Sequence, residues 1–246
     1  MATYLATVHI GRYEVRAMNA SVPTSVVLPR RLLRQYAAIF GRQPEVVDTF
    51  TRMFGPYPFP RYTVVITDDD LEMPLEAQGL STFGANFLTP GWDAERLVAH
   101  ELSHQWFGNS LTLATWKDIW LHEGFACYAE WLWSEDSGGR SAEQHAADHH
   151  AHLALSKQDL VLSDPGPDHM FDDRVYKRGA LLLHALRQAL GDDSFFGILR
   201  TWTQSHAHST VTTDDFRRHV GAATTSDLTG LFDSWLNTEA LPPLRS

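Results

Sequence analysis

The chain has 246 residues, of which 43% are hydrophobic and 20% charged, enough to bury a sizeable core in one domain or in two closely joined lobes. Its formal net charge of −10 argues against a nucleic-acid partner, because phosphate binding is carried by lysine and arginine. No stretch approaches the roughly 20 apolar residues of a membrane span, and the opening residues lack the basic and apolar regions of a signal peptide. The single Cys127 excludes an internal disulfide. We therefore expect a cytoplasmic protein without a membrane partner.

The first half of the chain shows short strand and helix patterns separated by turns. Loosely alternating and β-branched runs predict strands, the first of which has no partner before it. The predicted strands are residues 3–13, 62–67 and 80–88. Pro29 and Pro44 suit first-turn positions, so each predicts the start of a helix. These helices are expected over residues 29–40 and 44–54.

From Asp93 onward the apolar residues recur with the period of a helix. Asp93 is predicted to cap a helix with Leu97, Val98 and Leu102 on its inner side, ending at residues 108–109. Further helices follow almost without interruption. They are predicted over residues 117–135, 141–156, 174–190, 192–203, 213–220 and 228–236.

Strands first and helices afterwards predict the α+β class. We expect a lobe of residues 1–112, with a small, mostly antiparallel sheet and the helix that begins at Asp93, packed on a predominantly helical lobe of residues 113–246. Together the two lobes would form one catalytic domain.

Two histidines on that helix stand four residues apart, in His100-Glu101-Leu102-Ser103-His104. On a helix both imidazoles project from one face and can bind one ion, with Glu101 nearby but not coordinating. Glu123, on the next predicted helix, offers a third ligand. Two imidazoles and a carboxylate suit zinc and leave a fourth position for water, as catalysis requires. A bare HExxH also occurs by chance, but with Glu123 the sequence predicts one Zn²⁺ per chain.

The helix of Glu123 carries a second acid, Glu130, on the same largely apolar face. Carboxylates on such a face need a partner. Zinc is the partner expected for Glu123. Glu130 either accepts the free N–H of a zinc-binding histidine or is a surface carboxylate.

A reaction follows from these parts. Zinc lowers the pKa of a bound water towards about 7 and polarises a carbonyl. Glu101 is placed to take the water's proton and pass it to the leaving amine. The oxyanion needs a further donor, for which Tyr176 is a candidate, with Gly179 allowing a close helix approach. A helical tyrosine with a satisfied hydroxyl in the core is the alternative.

Residues 100–109, HELSHQWFGN, followed by residues 120–126, WLHEGFA, resemble the membrane-alanyl-aminopeptidase family of gluzincin zinc metallopeptidases. The resemblance continues at residues 54–59, 175–180 and 235–236, and so covers almost the whole chain. It implies a thermolysin-like catalytic domain. It also implies zinc on His100, His104 and Glu123, with Glu101 as general base and Tyr176 stabilising the oxyanion.

The family's exopeptidase signature is Gly-x-Met-Glu-Asn, whose Glu binds the substrate's α-amino group. Glu76 falls on that position, but Met73 and Ala77 replace the Gly and the Asn. Lys177 follows Tyr176 where the family more often has an acid. The resemblance implies peptide substrates with a free amino terminus and a β-rich domain before the catalytic one. We expect that domain to be missing here, so that zinc binding survives while peptidase activity is weak.

The leading hypothesis is a zinc-dependent aminopeptidase. A zinc endopeptidase would share the ion and the base but would have no use for Glu76. A non-catalytic or weakly active peptide-binding fragment is the alternative from another class, and an epoxide hydrolase is a more distant one. One predicted helix carries three histidines that could share a face, His145, His149 and His152. They form either a second metal site or a solvated polar surface.

Overall fold

The computed structural model describes residues 1–244, in which a mixed sheet precedes a succession of helices. The strands are β1 (Tyr13–Met18), β2 (Thr24–Pro29), β3 (Tyr62–Ile66), β4 (Leu75–Ala77), β5 (Leu80–Phe83), β6 (Leu111–Leu113) and β7 (Ser209–Val211). The α-helices are α1 (Ala37–Phe40), α2 (Gln43–Phe54), α3 (Trp92–Ser103), α4 (Trp120–Asp136), α5 (Ala142–Ala154), α6 (Asp173–Leu190), α7 (Asp192–Ser205), α8 (Thr213–Ala222) and α9 (Thr229–Leu236). Short 3-10 turns cover Thr3–Leu5, Arg30–Leu32, Ala85–Leu88 and Trp116–Asp118.

The main sheet has five strands in the order β1-β2-β3-β5-β4. The outer pairs, β1 with β2 and β4 with β5, are antiparallel, whereas β2 with β3 and β3 with β5 are parallel. The predicted α+β class is confirmed, but the sheet is mixed rather than mostly antiparallel. The reason is the connection from β2 to β3, which passes through α1 and α2 and so allows parallel pairing.

The predictions for the first 40 residues are largely wrong. Residues 3–13 contain a 3-10 turn, and of this run only Tyr13 lies in a strand, as the first residue of β1. Val8 and Ile10 are exposed, because no described strand pairs with residues 3–12. Pro29 closes β2 instead of opening a helix, and only the short α1 lies in residues 29–40. Strand β2 was not predicted, although its buried and partly buried residues alternate.

Later elements agree better with expectation. The predictions for α2, β3 and α4 to α9 are confirmed to within a few residues at each end. The strand predicted over residues 80–88 ends at Phe83 and continues as a 3-10 turn. Helix α3 begins at Trp92, so Asp93 lies in its first turn rather than at its cap, where a carboxylate still favours the helix dipole. The same helix ends at Ser103, before the predicted residues 108–109.

A parallel pair that the sequence did not predict, β6 with β7, links residues 111–113 to residues 209–211. Helix α3 also packs against α4 across the predicted lobe boundary. The division at residues 112 and 113 therefore stays a prediction. No helix in residues 1–244 is both long enough and apolar enough to cross a membrane.

Helix α6 is fixed by two contacts. Gly124 of α4 and Gly179 of α6 face each other so closely that a Cβ on Gly179 would lie 2.8 Å from the Cα of Gly124. At the other side, the buried Arg178 donates to the carbonyl oxygens of Trp235 at 2.9 Å and Glu239 at 2.8 Å. The glycine contact sets the depth of α6 and the arginine ties it to the end of α9.

We predict that Gly179→Ala lowers the free energy of unfolding by about 1–3 kcal/mol, because the new methyl group meets backbone that has no room to yield. Urea unfolding measures the change. Gly221→Ala is the matched control, since nothing lies within 4 Å of its Cβ position on α8, and alanine there should stabilise by up to about 1 kcal/mol. Equal effects of the two substitutions would contradict this account of the helix contact.

Candidate metal centre

Helices α3 and α4 bring His100, His104 and Glu123 together. One ligand atom from each lies within 4.8 Å of the others, and all three side chains are buried. The Nε2 atoms of His100 and His104 lie 3.4 Å and 3.6 Å from the same Oε2 of Glu123. Both imidazoles face one point because they are a single helical turn apart. This is the only such cluster of three or more possible ligands among residues 1–244.

Both imidazole rings are held through their other nitrogen. The Nδ1 of His100 lies 2.8 Å from Oε1 of Glu130, and the Nδ1 of His104 lies 3.0 Å from the carbonyl oxygen of Phe107. A proton on Nδ1 satisfies both bonds and leaves Nε2 free to coordinate. Glu130 is buried rather than on the surface, and Arg96 lies 3.4 Å from its Oε2.

The charges in this cluster fit a divalent cation. Burial alone would lower the pKa of His100, but the hydrogen bonds to Glu123 and Glu130 outweigh it and raise that pKa to about 10. Burial alone would raise the pKa of Glu123, but the charges of His104 and His100 outweigh it and lower that pKa to about 2. The cluster therefore favours positive charge at its centre, which a cation supplies while both rings stay neutral. Two imidazoles and one carboxylate are a donor set that suits zinc.

Glu101 lies on α3 beside this cluster. Its side chain is buried, and its Oε2 has no hydrogen-bond partner among the described residues. Burial raises the pKa of this carboxyl well above its usual range, and the nearby Glu76 and Glu123 add to the effect. A carboxylate that has a free oxygen and a raised pKa is suited to accept a proton.

Tyr176 reaches the cluster from α6. Its ring stacks on the ring of His100, with centroids 6.1 Å apart and planes 18° apart. Burial raises the pKa of the hydroxyl, as do the charges of Glu123 and Glu76, so the group stays protonated and can donate a hydrogen bond. The close contact between α4 and α6 gives Tyr176 this position.

Glu76 lies on β4. Two side chains that follow the carboxyl end of α3 in the chain hold this strand in place. The amide of Asn109 donates to the carbonyl oxygen of Glu76 at 2.9 Å. Gln105 donates to the carbonyl oxygen of Ala77 at 3.1 Å and accepts from the backbone N–H of Gly79 at 2.7 Å. These roles of Gln105 and Asn109 were not predicted, although polar side chains beside the aromatic residues 106 and 107 were a signal.

Tyr4 also lies near the cluster, which the sequence analysis missed. Its ring packs against Trp116, with centroids 5.7 Å apart. Burial, together with the charges of Glu76 and Glu123, raises the pKa of its hydroxyl to about 12. No local pattern indicated this, because residues 3–13 were expected to form a strand.

Two imidazoles spaced as His-x-x-x-His and a third, carboxylate ligand are a donor set typical of zinc peptidases. Residues 40–235 match the family model described as the peptidase family M1 domain. The chain therefore belongs to peptidase family M1, a family of hydrolases, and the family predicted from its motifs is confirmed.

Known relatives and solved structures agree with this assignment. Aminopeptidase M1-A of Oryza sativa subsp. japonica is 25% identical over 98% of this chain and 30% of its own length. Endoplasmic reticulum aminopeptidase 1 of Homo sapiens is 27% identical over 87% of this chain and 25% of its own. The M1 zinc metallopeptidase from Deinococcus radiodurans superposes with a TM-score of 0.85 at 32% identity, covering 95% of this chain and 53% of that one. Native yeast LTA4 hydrolase, at 18% identity and a TM-score of 0.80, shares the fold.

The chain thus spans about a third or less of these curated relatives and about half of the Deinococcus protein.

We predict that Glu130→Gln weakens zinc binding by about 10- to 100-fold, because the charge that orients His100 is lost. Competition with a chelator of known affinity measures the change. Glu45→Gln, which removes an exposed carboxylate on α2, serves as the control and should bind zinc as the unchanged protein does. Unaltered zinc affinity in Glu130→Gln would show that the contact does not support the metal site.

Proposed function

We propose that this chain is the catalytic domain of a zinc-dependent aminopeptidase, with one Zn²⁺ bound by His100, His104 and Glu123. The observation that carries the proposal is the buried ligand cluster with the unbonded Oε2 of Glu101 beside it. The names of the relatives, aminopeptidases and zinc metallopeptidases, support it.

Zinc, when bound, polarises the carbonyl of the scissile bond and activates the attacking water. Glu101 takes the proton from that water at Oε2 and passes it to the leaving nitrogen. The hydroxyl of Tyr176 donates a hydrogen bond to the oxyanion that develops on the substrate. Both groups are fixed by their helices, so little reorganisation accompanies the reaction.

The selectivity for an amino terminus is assigned to Glu76. A carboxylate at this place pairs with the α-ammonium group of the substrate through charge-assisted hydrogen bonds. The backbone of Glu76 is held by Asn109, so the side chain starts from a fixed place on β4.

A zinc endopeptidase and a non-catalytic peptide-binding fragment remain the rival functions, and the two experiments that follow separate them. The β-rich domain before the catalytic one and the cytoplasmic location also stay predictions. The greater length of the relatives is consistent with a further domain.

The first experiment measures metal content by elemental analysis together with hydrolysis of alanyl and leucyl chromogenic amides. We expect one zinc per chain, and we expect Glu101→Gln to keep the zinc but to lose turnover by about 100- to 10,000-fold, because the proton acceptor is gone. A folded chain without zinc would overturn the proposal, and zinc without turnover would favour the peptide-binding fragment.

The second experiment tests Glu76. We expect Glu76→Gln to lower kcat/KM for peptides with a free amino terminus by about 10- to 100-fold, because a charged hydrogen bond is lost. Hydrolysis of the same peptides in free and N-acetylated form gives the comparison. The matched control is Glu72→Gln, an exposed carboxylate in the preceding loop. Unchanged preference for the free amino terminus in Glu76→Gln would favour another origin of selectivity.

A further inference from the structure

A cavity of about 700 Å³ opens next to the metal cluster, at the amino-terminal end of α3. Glu130 is shared by both, since it lines the cavity and its carboxylate contacts His100. The cavity walls also include Arg96, Trp131 and Lys177. No role has been assigned to this space so far.

Three helices lead from the metal cluster into the cavity. On α3, Arg96 lies one turn before His100 and therefore on the same face. On α4, Glu130 lies two turns beyond Glu123, and on α6 Lys177 directly follows Tyr176. The faces of α3 and α4 that build the metal site thus continue as walls of the cavity, and α6 adds Lys177 from the position next to Tyr176.

The cavity lies where the part of a bound peptide after the scissile bond is expected. Glu76 is held near the carboxyl end of α3 through Asn109, whereas the cavity lies at the first turns of that helix, beside Trp92 and Arg96. The metal ligands stand between these two ends. A peptide with its amino group at Glu76 and its scissile carbonyl at the metal therefore directs its leaving half towards the cavity.

The inner wall of the cavity carries a surplus of positive charge. The side chains of Arg96 and Lys177 are 33% and 13% exposed, and they face one buried carboxylate, Glu130, which already holds His100. Asp93 and Asp173 lie at the rim, each 3.6 Å from Arg96 or Lys177 respectively, but their side chains are 98% and 68% exposed, so water screens these ion pairs. Arg140 and Asp148, also at the rim, pair with each other.

The ammonium group of Lys177 makes two weak contacts and can therefore bind another group. Its Nζ lies 3.4 Å from the Sγ of Cys127 and 3.6 Å from a carboxylate oxygen of Asp173, both weak contacts for an ammonium group. Opposite the cations, the rings of Trp131 and His149 stack at 5.1 Å with planes 5° apart, and His145 stacks on Trp92 at 5.4 Å. These histidines form an aromatic wall and do not form a metal cluster with their described neighbours.

We propose that this cavity receives the leaving half of the peptide and that Arg96 and Lys177 select a carboxylate there. The carboxylate is either the acidic side chain of the residue after the scissile bond or the free carboxyl group of a dipeptide. This inference rests on the proposed aminopeptidase function. Arg96 also supports Glu130, so Lys177 is the residue through which the selection can be tested separately.

The test compares three substrates of the zinc-loaded protein: the amide of Ala-Glu, the amide of Ala-Gln, and Ala-Gln with a free carboxyl group. We expect kcat/KM to be about tenfold higher for at least one of the two carboxylate substrates than for the neutral amide. Which of the two is preferred identifies the source of the carboxylate. We expect Lys177→Gln to reduce this preference about fivefold or more and Lys177→Arg to keep it, since Arg preserves the charge.

Lys157→Gln is the matched control, because it removes an exposed lysine that does not line this cavity, and the preference should stay unchanged. Raising the ionic strength should weaken the preference of the unchanged protein, a readout that does not depend on the folding of any variant. Equal kcat/KM for the three substrates, or a preference that survives in folded Lys177→Gln, would overturn the assignment.

A failure of the proposed aminopeptidase function can be told apart from a failure of the cavity assignment. If the zinc-loaded protein cleaves none of the three peptides, the aminopeptidase proposal fails. Calorimetric binding of the same peptides to Glu101→Gln still tests the cavity in that case, since binding needs no turnover. Tighter binding of a carboxylate peptide than of the neutral amide would support the cavity assignment if the difference disappears in the double variant Glu101→Gln, Lys177→Gln. Equal binding of all three peptides would overturn it.

Discussion

The burial of several carboxylates around two histidines is the constraint on which the rest of this structure depends. Glu101, Glu123 and Glu130 are all buried, and charges removed from water are costly unless opposite charge or hydrogen bonds compensate them. His100 lies between two of these acids and His104 faces one of them. A divalent cation at the point where Nε2 and Oε2 atoms converge compensates the cluster as a whole. The helices that carry these residues must therefore hold them rigidly.

The fold provides that rigidity through close backbone packing and through side-chain hydrogen bonds to backbone carbonyl oxygens. Gly124 and Gly179 let α4 and α6 approach each other directly, and this contact brings Tyr176 over the ring of His100. Gln105 and Asn109 fix β4 through its backbone carbonyl oxygens. The metal ligands, the tyrosine and Glu76 thus belong to three separate parts of the chain whose relative positions are set by packing and by hydrogen bonds to the backbone.

Helix α3 gives the site a direction. Its carboxyl end adjoins the strand of Glu76, its last turn and the residue after it carry the two histidines, and its first turns border the cavity of Arg96. A substrate laid along this helix meets negative charge at one end and a surplus of positive charge at the other. A dipeptide or a short acidic peptide has the complementary distribution, because its ammonium group is at one end and its carboxylate is towards the other.

The sequence by itself determined the family and most of the helices, and it singled out the three residues that cluster as possible metal ligands. These depend on short spacings, such as the single turn between His100 and His104, and such a spacing fixes which side chains share a helix face. Only the tertiary structure decided which faces meet. Residues 3–12 looked like a strand but pair with no other strand, β6 pairs with a strand almost a hundred residues away, and Arg96 and Lys177 line the same cavity. Each of these depends on packing between distant segments, which no local pattern encodes.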